Sequence, residues 1–125
     1  TMALETTFNK TQAGVMEEIR CHVKAERIGF RGYGMLLAEI GLPPGADIDR
    51  SSLEKAMKKS NSINQYDILP DRVVLYLWPR AGGTEFDFTF RPRLRMNALS
   101  SSSSVYDYYN PEAKAVVAPT RFVVK

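Results

Sequence analysis

Hydrophobic and polar residues alternate along several short stretches of this chain, and a period of two is typical of a β-strand with one buried face. In residues 18–24, Ile19, Cys21 and Val23 share one parity, while charged and polar residues share the other. This stretch is therefore predicted to be a half-buried strand, with Cys21 on the side that faces the core.

The longest alternation covers residues 85–97. Phenylalanine, proline, leucine and methionine occupy one parity, and charged or polar residues occupy the other. The pattern predicts one long strand with a solvated face. Pro92 has no N–H to give to the sheet ladder, so we expect it at a sheet edge or at a bulge. The solvated parity carries a basic row made of Arg91, Arg93 and Arg95.

Further strands are predicted from apolar runs and from the turn residues between them. Residues 35–40 and 72–78 are apolar on both parities, which favours central strands. Pro70-Asp71 is a turn signal that joins the second run to a strand ending at residue 69, so a hairpin is expected there. Three more strands are expected towards the end of the chain, at residues 105–109, 115–118 and 121–124.

Two segments are predicted to be loops. Residues 27–34 contain three glycines, and residues 100–104 are all serine. Glycine-rich and polar low-complexity stretches between strands are typical of connections on the surface. We expect the serine segment to be mobile.

One helix is predicted over residues 51–60. Ser51 and Glu54 have the spacing of a capping box, in which each side chain bonds the backbone N–H of the other. Apolar residues at i, i+3 and i+4 from Leu53 form a stripe that must pack on the sheets, because a helix this short is not stable alone. The outward side then carries three lysines: Lys55, Lys58 and Lys59.

The chain is expected to fold as one domain over residues 1–125. Its length suits one hydrophobic core, and 44% of its residues are hydrophobic while 25% are charged. Seven or eight short strands with one helix favour an all-β fold, an antiparallel β-sandwich, over alternating β and α units. The single cysteine allows no internal disulfide.

The sequence offers no set of residues for catalysis. His22, the only histidine, falls on a polar parity and is predicted to be solvated. One histidine and one cysteine do not make a metal site, and no pair of carboxylates stands out as an acid–base couple. We therefore expect neither an enzyme, a metal nor a cofactor. The net charge of +3 is spread along the chain, and no apolar run is long enough for a bilayer, so nucleic acid and membrane insertion are not expected.

The clustered cations leave two interpretations open. The arginine row and the helix lysines can be solubilising surfaces, as charged faces of strands and helices usually are. They can also form patches for an acidic polymer or an acidic protein surface. Glu85 and Asp87 share the face of the arginine row and reduce its charge.

Three segments in register resemble the C-terminal receptor-binding domain of the α-macroglobulin family. They are GMLLAEIGLPPG at residues 34–45, RVVLYL at residues 72–77 and VYDYYNP at residues 105–111. The resemblance implies an antiparallel sandwich with a helix on its flank, at the C-terminal end of a longer, extracellular or periplasmic chain that traps proteases. It also implies that the domain packs on a thioester-type domain and is exposed or repositioned after a bait segment is cut. The partners implied are the other domains of that parent and, through it, proteases.

The resemblance bears on the helix lysines as well. In animal members, two lysines one helical turn apart engage an endocytic receptor, and by position they correspond here to Ser51 and Lys55. Since Ser51 is not basic, Arg50 or Lys59 can substitute for it, and Lys59 lies four residues after Lys55 on the same face, with Lys58 beside it. The segment at residues 34–45 is more similar to microbial members. The alternative hypothesis is a stand-alone receptor-, adhesion- or glycan-binding sandwich, with Tyr33 or Trp78 as an aromatic platform.

Overall fold

The structure, a computed structural model, describes residues 1–28 and 34–125 of the chain. Strands dominate it, and one short helix interrupts them. The strands and the helix are β1 (Met2–Phe8), β2 (Gln12–Ala13), β3 (Ile19–Arg27), β4 (Leu36–Gly41), β5 (Ala46–Ile48), α1 (Arg50–Lys59), β6 (Ile63–Leu69), β7 (Arg72–Leu77), β8 (Thr84–Pro92), β9 (Met96–Leu99), β10 (Ser103–Asp107), β11 (Lys114–Val117) and β12 (Arg121–Val124).

The strands form three sheets. One has four strands in the order β1-β3-β8-β5, another has five in the order β11-β10-β4-β7-β6, and a small one has the order β2-β12-β9. Neighbouring strands are antiparallel except β2 and β12. Apolar side chains from the two larger sheets meet in a common core, so the predicted all-β antiparallel sandwich with one helix is confirmed.

The core depends on the period of two that the sequence shows. Ile19, Cys21 and Val23 of β3 are all fully buried, as predicted. Removal of such side chains from water is the main stabilising contribution in a domain of this size. Phe8 packs edge-on against Phe122, with ring centroids 4.9 Å apart, and thereby ties the small sheet to the four-stranded one.

The prediction of one long strand over residues 85–97 is wrong for the second half of that range. The strand β8 ends at Pro92, and Leu94, expected on the buried parity, is 60% exposed. Pro92 is the last residue of a strand that lies between β3 and β5, and so it is neither on an edge strand nor at a bulge. Its missing N–H ends the ladder, and the chain then continues as β9 in another sheet.

The segment of serines predicted to be a loop is partly a strand. Ser103 and Ser104 belong to β10, and the buried Ser103 Oγ accepts a 2.9 Å hydrogen bond from the backbone N–H of Gly41. Ser100 Oγ accepts one of 3.0 Å from the N–H of Thr120. These hydroxyl groups serve as partners for backbone N–H groups and attach the segment to its neighbours.

Two further differences concern the start of the chain. The strand β1 was not predicted, although Met2 and Leu4 are buried and alternate with polar or smaller residues. Of the glycine-rich loop predicted over residues 27–34, residues 29–33 lie outside the described part of the chain, and Arg27 belongs to β3.

Candidate functional site

A charged groove lies between α1 and the outer face of the four-stranded sheet. It encloses about 560 Å³, and side chains from three elements of the fold line it. We call it the α1 groove. Its charged and titratable residues are Arg20 and His22 of β3, Lys55 and Lys59 of α1, and Glu85 and Asp87 of β8.

The position of the helix is fixed at its N-terminal end by Asp49. One oxygen of its carboxylate accepts hydrogen bonds from the N–H and hydroxyl of Ser51, at 3.0 and 2.7 Å. These bonds lower the pKa of Asp49. The predicted capping box of Ser51 and Glu54 is therefore wrong, because the helix begins at Arg50 and Asp49 is the N-cap. An aspartate satisfies the free N–H groups of the first turn as well as a serine does.

The same turn is bonded to β8. Ser52 Oγ accepts a 3.0 Å hydrogen bond from the backbone N–H of Thr89, and the N–H of Asp49 donates to the carbonyl of Thr89 at 2.9 Å. The two bonds occupy the backbone of β8 just beyond the place where β5 stops pairing with it. The helix thus follows β5 along the side of β8. Its first turn is bonded to β8 where the pairing with β5 ends.

The C-terminal end of the helix is fixed by a row of buried hydroxyl groups. Ser60 Oγ bonds Ser62 Oγ at 2.8 Å, and Ser62 Oγ bonds Thr84 Oγ1 of β8 at 2.5 Å. Between the two ends, Leu53 and Ala56 are buried in the core, which confirms the predicted apolar stripe. Both ends and one face of α1 are therefore attached to the sandwich, so its other face presents side chains in a defined position.

His22 is held between two carboxylates on the floor of the groove. Its Nδ1 lies 2.7 Å from Asp87 Oδ1 and its Nε2 lies 3.0 Å from Glu85 Oε2. Each ring nitrogen must carry a proton to bond a carboxylate, which favours the imidazolium form. The bonds to Glu85 and to Asp87 raise the pKa of His22. His22 was predicted to be solvated, and its side chain is 41% exposed, but both of its nitrogens are bonded.

The three predicted lysines divide into two groups. Lys55 and Lys59, four residues apart, both line the α1 groove, whereas Lys58 does not. All three are exposed, and none makes an ion pair with another of the described residues. Arg20 stands across the groove from them. Two ammonium groups, neither in an ion pair with another described residue, and one guanidinium therefore lie near two carboxylates, and a protonated His22 offsets the charge of only one of them.

The predicted arginine row is not carried by one strand, because β8 ends at Pro92. Arg91 donates to the carbonyl of Met16 at 2.8 Å and lies 3.8 Å from Glu18. Arg93 follows the strand and donates from Nε to the carbonyl of Gly45 at 3.2 Å. Arg95 precedes β9 and is exposed. Two of the three arginines thus attach neighbouring loops to the sheet.

The described residues contain little else that is reactive. No three His, Cys, Asp or Glu side chains among them converge as metal ligands. Burial raises the pKa of the Cys21 thiol, so it stays protonated. No helix in the described ranges has the length and apolarity to cross a bilayer.

Comparison with known protein families shows to which family the chain belongs. The family model of the A-macroglobulin receptor binding domain matches residues 31–119, more than two thirds of the chain. The chain belongs to this receptor binding domain family. The match covers the three segments on which the resemblance was based, the helix α1 and all five strands of the five-stranded sheet. No curated protein sequence matches the chain.

Solved structures agree on the fold of this receptor binding domain. Native α-2-macroglobulin from Escherichia coli, from domain MG7 to the C-terminus, matches 99% of the chain with a TM-score of 0.81 and 11% identity. The Escherichia coli protein activated by porcine elastase matches 99% of it, with a TM-score of 0.80 and 14% identity. The chain spans 23% and 13% of those two chains. A non-cellulosomal cohesin from Archaeoglobus fulgidus shares the fold more distantly, with a TM-score of 0.53, 15% identity and coverage of 98% of this chain and 91% of its own.

The floor of the groove could not be identified from sequence spacing. His22 is 65 residues from Asp87 and 63 from Glu85, and only the pairing of β3 with β8 places His22 opposite Asp87. The one available signal was the polar parity that each strand shows. It indicates that these residues face outward, but the register between the strands decides which of them meet.

Proposed function

We propose that the chain is the non-catalytic C-terminal interaction domain of an α-macroglobulin-like protein that traps proteases. In this proposal it packs on a thioester-type domain of its parent and is exposed or repositioned after the bait segment is cut. The observation that carries the proposal is the family match over residues 31–119. An extracellular or periplasmic location follows from the same family, and the chain itself performs no chemistry.

The similarity to two forms of one relative supports repositioning over refolding. The chain matches native Escherichia coli α-2-macroglobulin and the elastase-activated protein with nearly equal TM-scores, 0.81 and 0.80. A domain that keeps its fold through activation can change only its surroundings. The helix attachments at Asp49 and at the buried Ser62 suit such a rigid unit, because they leave little freedom between the helix and the sheets.

The proposal can be tested by crosslinking in the full-length parent. The parent is treated with a lysine-reactive crosslinker before and after cleavage by porcine elastase, and crosslinks from Lys55, Lys58 and Lys59 are mapped by mass spectrometry. We expect crosslinks to other domains in the uncleaved protein, and a different set after cleavage. The same set in both forms would contradict the proposal.

A second candidate function is docking of an acidic protein surface or receptor in the α1 groove. It is favoured by the position of Lys55 and Lys59, which line the groove with Arg20 and have no ion-pair partners among the described residues. Cations held on a fixed helix face attract and orient an acidic partner. The arginine row is a weaker candidate for such contacts, because Arg91 and Arg93 already bond backbone carbonyls.

Charge reversal distinguishes the docking surfaces. Binding of a poly-glutamate probe is compared for the unchanged chain, Lys55→Glu/Lys59→Glu, Lys58→Glu and Arg93→Glu/Arg95→Glu, with thermal unfolding as a folding control. We expect the first pair to weaken binding by about tenfold or more, and Lys58→Glu to weaken it by about twofold. Equal losses from all variants would indicate general charge attraction and would contradict a defined groove.

A further inference from the structure

The outer face of the five-stranded sheet carries a second cavity, on a different face from the α1 groove. A sheet face in water usually presents polar side chains, but here β7 and the end of β10 present aromatic ones. The cavity encloses about 320 Å³. We call it the aromatic cavity, and it is lined by Met35, Gln65, Tyr76, Trp78, Tyr108 and Tyr109.

The aromatic rings of this cavity face solvent. Trp78 is 47% exposed, Tyr108 is 55% exposed and Tyr109 is 78% exposed. Tyr108 and Tyr109 stand edge to face, with centroids 5.1 Å apart and planes at 79°. Rings that meet at such an angle present a π-face and an edge to the same space, and the π-face carries negative potential.

The charges near the cavity are arranged for a positive ligand. Among the residues that the structure describes, none of the six that line the cavity is charged. The hydroxyl of Tyr76 donates a 2.9 Å hydrogen bond to the Asp67 carboxylate. This bond raises the pKa of Tyr76. A phenol that donates to a carboxylate keeps electron density in its ring, which strengthens attraction of a cation to that ring. The exposed Asp67 carboxylate, which is bonded to this lining residue, also attracts a cation.

The charge of Asp107, another described carboxylate that bonds a residue of the cavity wall, is balanced by an ion pair. Its Oδ1 accepts a 2.8 Å bond from the N–H of Tyr109, while its Oδ2 lies 2.6 Å from Arg27. Both side chains of that pair are only 9% exposed. Of these two carboxylates, Asp67 is therefore the one expected to attract a bound cation more strongly. A substitution at Asp67 tests this attraction.

We propose that the aromatic cavity binds an organic cation, an alkylammonium or guanidinium group. Aromatic rings that face a space without charged side chains attract such groups more strongly than they attract neutral groups of equal size. A small free quaternary ammonium ion and the side chain of a partner protein both present this chemistry. The proposal is independent of the trapping function and of the α1 groove.

Trp78 is the only tryptophan of the chain, so its fluorescence reports on the cavity directly. The 125-residue chain is titrated with choline, with an arginine-containing peptide amide, and with 3,3-dimethylbutanol, the uncharged equivalent of choline. We expect saturable changes in Trp78 emission with the cations at about millimolar concentration, and binding of the alcohol that is about fivefold weaker or more. Tighter binding of choline would identify a free ion as the source, and tighter binding of the peptide would identify a partner side chain.

Matched variants separate the site from general effects. Asp67→Asn should weaken cation binding by about twofold to fivefold, and Asp47→Asn, the same change on exposed β5, should leave it unchanged. Tyr109→Ala, at a position 78% exposed, should weaken binding while unfolding as the unchanged chain does. Equal binding of choline and its uncharged equivalent would overturn the proposal, as would a response to neutral oligosaccharides alone or no saturation with any cation.

Discussion

Gly41 and Ser101 touch through their backbones. A Cβ atom placed on Gly41 would stand 1.9 Å from the carbonyl oxygen of Ser101 and 2.6 Å from its carbonyl carbon. The N–H of Gly41 also donates to Ser103 Oγ, at 2.9 Å. The last residue of β4 is thus held against the serine segment so closely that only glycine fits, and this contact keeps that segment in place.

Replacement of Gly41 should therefore destabilise the domain. Gly41→Ala forces the backbone at Ser101 to move, and we expect the free energy of unfolding to fall by about 2 kcal/mol or more, as overpacking of a filled interior does. Urea denaturation followed by Trp78 fluorescence measures the change. Gly14→Ala is the control, because a Cβ there meets its nearest atom at an ordinary 3.7 Å. Equal stability of the two variants would contradict the close approach.

The ion pair of Asp107 with Arg27 should make the domain sensitive to acid. Burial alone would raise the pKa of Asp107, but the N–H of Tyr109 and the Arg27 guanidinium lower it overall. A lowered folded-state pKa gives stability that is present above the unfolded value of about 3.9 and is lost as pH falls through the folded value. Thermal unfolding between about pH 2 and pH 5 should show this loss.

The same pair predicts the effect of a single substitution. Asp107→Asn keeps the shape of the side chain but removes the charge opposite a buried guanidinium, which should cost about 3 kcal/mol at neutral pH. Its acid sensitivity should also be smaller than that of the unchanged chain. Asp47→Asn, at an exposed carboxylate, should change stability little. If both variants unfold alike, the pair does not contribute as described.

His22 should give the domain a stability that decreases as pH rises. Its folded-state pKa is raised by Glu85 and Asp87, so this contribution is complete below the unfolded pKa of about 6.5 and is lost as pH rises through the folded value. Since the chain has one histidine, a titration of the ring by NMR is unambiguous. We expect a pKa above about 6.5 that decreases in Glu85→Gln. An unshifted value would show that the two carboxylates do not hold the ring in solution.

Cys21 should be inert while the domain is folded. It lies in β3 and is fully buried, and burial raises the pKa of its thiol. A thiol reagent such as dithiobis-nitrobenzoate should react with it only at the rate at which the domain opens, and fast in concentrated guanidinium chloride. Labelling of the native chain as fast as the denatured one would place Cys21 at the surface.

The pattern of the sequence determines which side of a strand is buried, but it does not determine where side chains from distant strands meet. The alternation around Cys21 correctly predicted buried and exposed faces, because a strand has that period whatever its neighbours are. It failed at Leu94, because Pro92 ended the strand before the alternation in the sequence ended. The capping box failed because Asp49, one residue before the helix, already bonds its first turn.

The two candidate sites show the same limit. Lys55 and Lys59 were expected on one face of a helix, since a spacing of four residues is sufficient for that inference. Their combination with Arg20 and His22 depends on how α1 attaches to β8, through hydroxyl groups that look ordinary in the sequence. The aromatic cavity likewise brings together β7 and the end of β10, and no local pattern connects Trp78 with Tyr109.

Hydrogen exchange in the full-length parent measures most directly whether this domain acts as a rigid module that changes its surroundings. Exchange is followed by mass spectrometry before and after cleavage by porcine elastase. The prediction is that surface peptides of the domain change protection on cleavage, while the peptide containing β3 remains equally protected in both forms. Unchanged exchange throughout the domain, or loss of protection in β3, would contradict it.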